Sequence, residues 1–216
     1  MKELLFLSIC FISSFSFAQD KDCSCNQNSE YNSYIKCETT FLHDKGFLNY
    51  HFNCDSIWLI LNENEHSYQI FSMGTDLIEY TYRIGYQLIR EFDNSLLFRY
   101  DCPATGSCNH ILINKKSGKV IQKFHELVYK GNNSNAPFII YFSNDYLDSL
   151  TIDFLDLNKS YKIMVDSSHF KSTNPEFQFD EGYVNQNKFI LSYDYYNSDS
   201  IWTKSKIILD LNKYGR

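Results

Sequence analysis

Proline and glycine are scarce in this chain, at three and eight residues, while 44% of it is hydrophobic. That balance argues against a disordered chain, which could not bury enough apolar surface to fold. Long hydrophobic runs are missing after the first 18 residues, and even the first falls short of the roughly 20 residues a bilayer span needs. No membrane span is expected. A basic excess is also missing: 20 Lys and Arg stand against 26 Asp and Glu, for a formal charge of −6. Without a basic stripe the chain is a poor partner for nucleic acid or anionic lipid.

The familiar catalytic signatures are absent too. There is no Gly-x-Ser-x-Gly, no phosphate-binding glycine loop and no His-Glu-x-x-His, and the histidines are scattered with no two at i, i+4 spacing. No cofactor and no metal are expected, and a non-enzymatic protein is favoured. His43-Asp44 is read as a solvated turn because no nucleophile motif accompanies it.

What is present begins with export. A short charged start, an apolar run from Leu4 to Phe17 and the small-x-small ending Ser16-Phe17-Ala18 read as a signal peptide, residues 1–18. Residues 19–216 then form a single β-rich domain, periplasmic or secreted. Cys10 leaves with the signal, and Cys23, Cys25, Cys37, Cys54, Cys102 and Cys108 remain, an even number that reads as disulfides in an exported chain. Cys102 and Cys108 flank the turn-rich Pro-Ala-Thr-Gly-Ser and are expected to pair. Cys23 and Cys25 are too close to pair easily with each other, so each reaches for Cys37 or Cys54, in an order the sequence leaves open. Oxidation is favoured over a metal site built from Cys102, Cys108 and His110.

Aromatic residues are abundant, with 17 Tyr and 18 Phe, and both favour strands. Self-similarity organises them. Ile57 to Asn62, Ile111 to Asn114, Phe154 to Asn158 and Ile208 to Asn212 each read as an apolar strand entering an Asn-led turn, and a further aromatic strand precedes each. The Asn positions recur about every 50 residues, the length of one meandering sheet in a propeller. The expected fold is all-β, built from about four degenerate antiparallel meander repeats, propeller-like or alternatively a β-sandwich. Alternation from Ile78 to Leu88 predicts a strand bent at Gly85, and Phe124 to Tyr129 is the one place for a helical turn. Tyr34 to Phe41 is expected to complete the last unit from the other end of the chain.

Tyr193, Tyr195, Tyr196 and Trp202, with Tyr141 and Tyr146 in the preceding unit, form the densest aromatic group and are the candidate binding residues. The expected function is a binding module that engages a protein partner through aromatic loops or a sheet edge, as an inhibitor or immunity protein would. Two alternatives are a glycan-binding or glycan-hydrolysing protein using Asp145, Asp148, Asp194 and Asp199 in corresponding loops, and a structural protein of surface assemblies.

Overall fold

A computed structural model describes Cys25, residues 33–199 and residues 201–214. The expected signal peptide and Cys23 lie outside these residues. Alternation builds the first sheet. β3 (Ser56–Glu63) buries Ile57, Leu59, Leu61 and Glu63 and leaves the intervening residues partly exposed, the period of a strand with one covered face. It pairs with β2 (Phe47–Phe52) and β4 (His66–Gly74), and β1 (Thr40–Phe41) lies outside β2. Asn53 Oδ1 accepts the N–H groups of Asp55 and Ser56, which turns β2 into β3.

Three more antiparallel meanders follow. The second sheet holds β5 (Gln87–Glu91), β6 (Ser95–Tyr100), β7 (Asn109–Asn114) and β8 (Val120–Phe124). The third holds β9 (Leu127–Tyr129), β10 (Phe138–Phe142), β11 (Ser149–Phe154) and β12 (Lys159–Met164). The fourth has only β13 (Tyr183–Asn185), β14 (Lys188–Tyr196) and β15 (Trp202–Asp210). Within each sheet every strand pairs with its neighbours in sequence, and every pairing is antiparallel.

Burial orders the sheets into a stack. Ser95 to Phe98 in β6 and all of β10 are buried without a break, so both faces of the second and third sheets are covered. Leu48, Leu59 and Leu61 of the first sheet pack on Leu96, Phe98, Ile111 and Ile113 of the second. Leu97, Leu112 and Phe124, on the opposite face of that second sheet, meet Ile139 and Tyr141 of the third. The other face of the third, led by Phe138, Ile140, Ile152 and Phe154, packs on Phe189, Leu191, Tyr193 and Leu209 of the fourth. Phe138 alone touches Phe154 and Phe189, with ring centres 4.8 and 4.9 Å away. Each such fully buried side chain contributes about 1.5–3 kcal/mol of transfer free energy. The result is a propeller-like stack of four sheets in which each interface is a sandwich contact. Among the described residues no apolar cluster joins the first sheet to the fourth, so the stack is open.

Three expectations are corrected. Residues 78–88 are not one bent strand: a 3-10 turn (Thr75–Tyr80) leads into a single α-turn, α1 (Thr81–Ile84), before β5 starts at Gln87. Only Ile78, Thr81 and Gly85 are buried there, at helical spacing, while Tyr80 and Tyr82 face solvent, so the alternation of apolar residues marked no sheet face. Phe124 to Tyr129 holds no helical turn; β8 ends and β9 begins there around Glu126, whose φ is +30°. Finally, β1 pairs with β2, and Ile35 packs beneath the first sheet with Phe52, Ile57 and Ile78. Residues 33–41 therefore cover the first sheet and do not complete the last, because the apolar side chains of that segment find their pocket next to the strand that follows them.

Candidate functional site

The six candidate aromatic residues do not form one patch. Tyr141 is buried between the second and third sheets, and Tyr193 between the third and fourth. Tyr195 stacks on His169 with ring centres 3.7 Å apart. Tyr146 stands exposed in the loop between β10 and β11. Tyr196 and Trp202 are directly opposed across β14 and β15, rings 5.3 Å apart and edge to face, and 53% and 65% exposed. They share the outer face of the fourth sheet with Tyr183, Ile190 and Ile208, which lie in one cross-strand row.

The same hairpin presents an open edge. Just beyond the two ends of its ladder, Asn197 N–H donates to Ile201 O at 3.0 Å and Leu211 N–H to Asn187 O at 2.8 Å. Counting inward by twos, Tyr195–Thr203, Tyr193–Ser205, Leu191–Ile207 and Phe189–Leu209 are the hydrogen-bonded pairs. The N–H groups of Trp202, Lys204, Lys206 and Ile208 therefore point away from β14, and among the described residues no strand pairs with them. In the first three sheets the third strands, β3, β7 and β11, carry a fourth strand on that side. The β14–β15 pairing runs nine residues without a register shift, whereas β3–β4 and β7–β8 are each interrupted by one. Lys204 is tied to Asp180 at 2.8 Å, while Lys206 is exposed.

A second polar locus lies between the second and third sheets. Asp153 of β11 is 4% exposed and faces the second sheet with Tyr141. Its Oδ2 accepts the Tyr141 hydroxyl at 2.9 Å, Gln122 donates its amide to the same hydroxyl oxygen, and its Oδ1 has no partner. Burial first, and then the Asp153 charge, push the Tyr141 phenol well above its ordinary value and keep it a donor. Asp153 lines a cavity of about 310 Å³ with Asn94, Ser95, Asn114, Asn158 and Ser160. A neighbouring cavity of about 340 Å³ shares Asn94, Ser95 and Leu155 with it and runs on towards Arg90, Glu91 and His43.

Around that second cavity a buried cation joins the first two sheets. Lys115, in the turn after β7, is 1% exposed and donates to Glu91 of β5 at 2.7 Å and to Asp44 of the β1–β2 turn at 2.8 Å. Burial pulls the Lys115 ammonium down, but the hydrogen bonds it donates to both carboxylates, and their charges, outweigh it and hold it above its usual value. The Lys115 hydrogen bond, followed by its charge, holds Asp44 below the usual carboxylate range. His43 places Nδ1 3.0 Å from Glu91 Oε2. The His43-Asp44 turn is thus exposed, as its composition suggested, and is also the anchor for a buried lysine.

The loop aspartates are held locally. Asp148 accepts from Ser149 Oγ at 2.8 Å and Asn144 Nδ2 at 3.0 Å, which hold its carboxyl low, the wrong direction for a general acid. Asp194 lies 3.9 Å from Lys204, and Asp145 and Asp199 are exposed. Neither Asp153 nor Lys115 is recognisable as a site in the sequence. The only hint is a carboxylate inside the apolar run Leu150 to Phe154, since its partners come from β8 and β10.

The disulfides Cys25–Cys37 and Cys102–Cys108 are formed, with Cα separations of 5.8 and 4.1 Å, and Cys54 is also oxidised. The Cys102–Cys108 loop docks on α1: Cys102 N–H donates to Arg83 O at 2.9 Å, and Arg83 Nε returns a bond to Cys102 O at 3.0 Å. No helix among the described residues is long and apolar enough to cross a membrane. Compared with protein families, curated proteins and solved structures, the chain matches none.

Proposed function

We propose that this chain is an exported binding module that takes up a strand of a protein partner along the free edge of β15. The observation that carries the reading is the three-stranded fourth sheet: among the described residues no strand pairs with the outward N–H groups from Trp202 to Ile208, where the other sheets hold a fourth strand. Main-chain bonds along such an edge give affinity, and side chains beside it give specificity. Tyr196 and Trp202 supply large apolar surfaces at one end of the edge, of the kind that dominates interface energetics. Lys206 gives the edge a positive charge, which repels a second copy paired antiparallel and favours an acidic strand. The disulfides support an oxidising compartment, periplasmic or extracellular. An inhibitor or immunity protein is the form that this binding mode suits.

The test is capture of partners by the immobilised, oxidised chain from Gln19 onward, using envelope and secreted fractions of its own host and identification by mass spectrometry. One saturable partner is expected, lost from Lys206→Pro and from the double variant Tyr196→Ala, Trp202→Ala. Proline at 206 removes an outward N–H and spares the bonds to β14. Capture that survives Lys206→Pro unchanged overturns the edge reading, and a homodimer lost on the same substitution replaces it with self-assembly.

A further inference from the structure

We infer that the cleft between the second and third sheets binds a single sugar ring, at a site separate from the β15 edge. Asp153 is the starting point. A carboxylate 4% exposed, with one oxygen satisfied by Tyr141 and the other without a donor, is an incomplete arrangement, because a buried acceptor needs a hydrogen-bonding group to replace the water it has lost. Asp153 also lines a cavity, from which a ligand can supply the missing donor.

The walls of that cavity narrow the chemistry. Asn94, Asn114, Gln122 and Asn158 bring amides and Ser95 and Ser160 bring hydroxyls, so most of the polar wall is neutral and able both to donate and to accept. Divalent cations are poorly served, because calcium wants six to eight oxygens with several carboxylates, and among the described residues no three acidic, histidine or cysteine side chains gather to hold a metal. Lys159 on the same wall opposes a cationic ligand, and Asp153 opposes an anionic one. A neutral polyhydroxyl ring satisfies every group: one hydroxyl donates to Asp153 Oδ1, its neighbours exchange bonds with the amides, and its C–H face rests on Leu112 and Leu155. A volume of about 310 Å³ is at the small end of ligand pockets. The adjoining cavity of about 340 Å³, reached past Asn94 and Leu155, lets a second ring continue towards Arg90.

The oxidised chain from Gln19 onward is titrated with D-glucose, D-galactose, D-mannose and N-acetyl-D-glucosamine, and with the β1,4-linked disaccharide of any that binds. Heat and the side-chain amide resonances of the asparagines are followed together. At least one sugar is expected to bind saturably and to shift the Asn114 and Asn158 amide signals. Asp153→Asn should weaken it about tenfold or more, equivalent to about 1.4 kcal/mol. Ser160→Tyr, at an exposed position that blocks the cleft without touching the core, should abolish it, while Lys206→Pro should leave it unchanged. Absence of saturable binding by all four sugars, or binding of equal strength in Ser160→Tyr, overturns the inference whether or not Asp153→Asn folds. Since Lys206→Pro disables only the β15 edge, the two readings fail separately.

Discussion

Lys115 Nζ lies 2.7 Å from Glu91 Oε1, and neither side chain is more than 8% exposed. The pair closes the seam where the β1–β2 turn meets the second sheet, and Asp44 completes it from the solvent side. A buried pair is weak support for stability as a whole, but removing one partner strands the other charge away from water. Lys115→Ala should therefore cost about 3–5 kcal/mol in urea unfolding. Lys115→Met, which fills the volume but also leaves Glu91 unpaired, should be rescued by adding Glu91→Gln. Because Lys115 is raised, its contribution is complete below pH 10.5 and lost as pH rises through the higher folded value. Asp44 is lowered, so its contribution is present above pH 3.8 and lost as pH falls through the lower folded value.

His110 gives the opposite edge of the pH range. It is stacked on Phe124, its Nδ1 is unpartnered, and burial, aided by the charges of His125 and Arg99, brings its pKa from 6.5 to about 4. The unfolded chain takes up the proton first as pH falls, so stability is full above about pH 6.5 and declines towards pH 4. The loss is about 3 kcal/mol from this group alone. His110→Phe keeps the stacking and removes the titration. The variant should show a flatter profile of urea midpoint against pH between 7 and 4 than the parent.

Cysteines 102 and 108 close a loop of six residues in separation whose entry is already hydrogen-bonded to α1. The double change to serine should lower stability by about 2–3 kcal/mol, the usual effect of opening a short loop. Thermal unfolding with and without reductant checks it, and reductant should have less effect on the double variant.

Gly131 has φ +70°, and a Cβ there would sit 2.7 Å from the Phe92 ring. Gly131→Ala carries both a left-handed backbone penalty and a clash against a side chain of the cleft, and should cost more than about 1 kcal/mol. A lowered urea midpoint with an unchanged m-value is the expected result.

The strands legible in the sequence were those with one covered face. Ile57, Leu59 and Leu61 alternate with partly exposed residues, and the Asn turn at Asn114 ends β7, whereas Asn62 is still paired within β3 and the turn falls two residues later, at Asn64 and Glu65. The turn at Asn158 was legible only in part, because Leu155 to Asn158 form the turn itself and β11 stops at Phe154. The short first strands β9 and β13 carried too little pattern to be seen. In β10, where every residue is buried, alternation is lost, so nothing local distinguished a core Tyr141 from a surface one. Residues 78–88 misled because two exposed tyrosines mimicked a strand face. Asp153 and Lys115 were invisible for a different reason: a polar residue in an apolar run or a turn acquires its role from partners that only the stacking of sheets supplies.

Each strand of this chain bonds only to the one before it and the one after it. The loops that must close are therefore short, the entropy of closing them is small, and every sheet can take shape before the next has been reached. Layers are then added in order along the chain, each settling on a face already finished. Of the four sheets, the one that carries β15 has the longest ladder and the fewest strands, so among the described residues the most regular pairing in the molecule is also the one left with an unshared side.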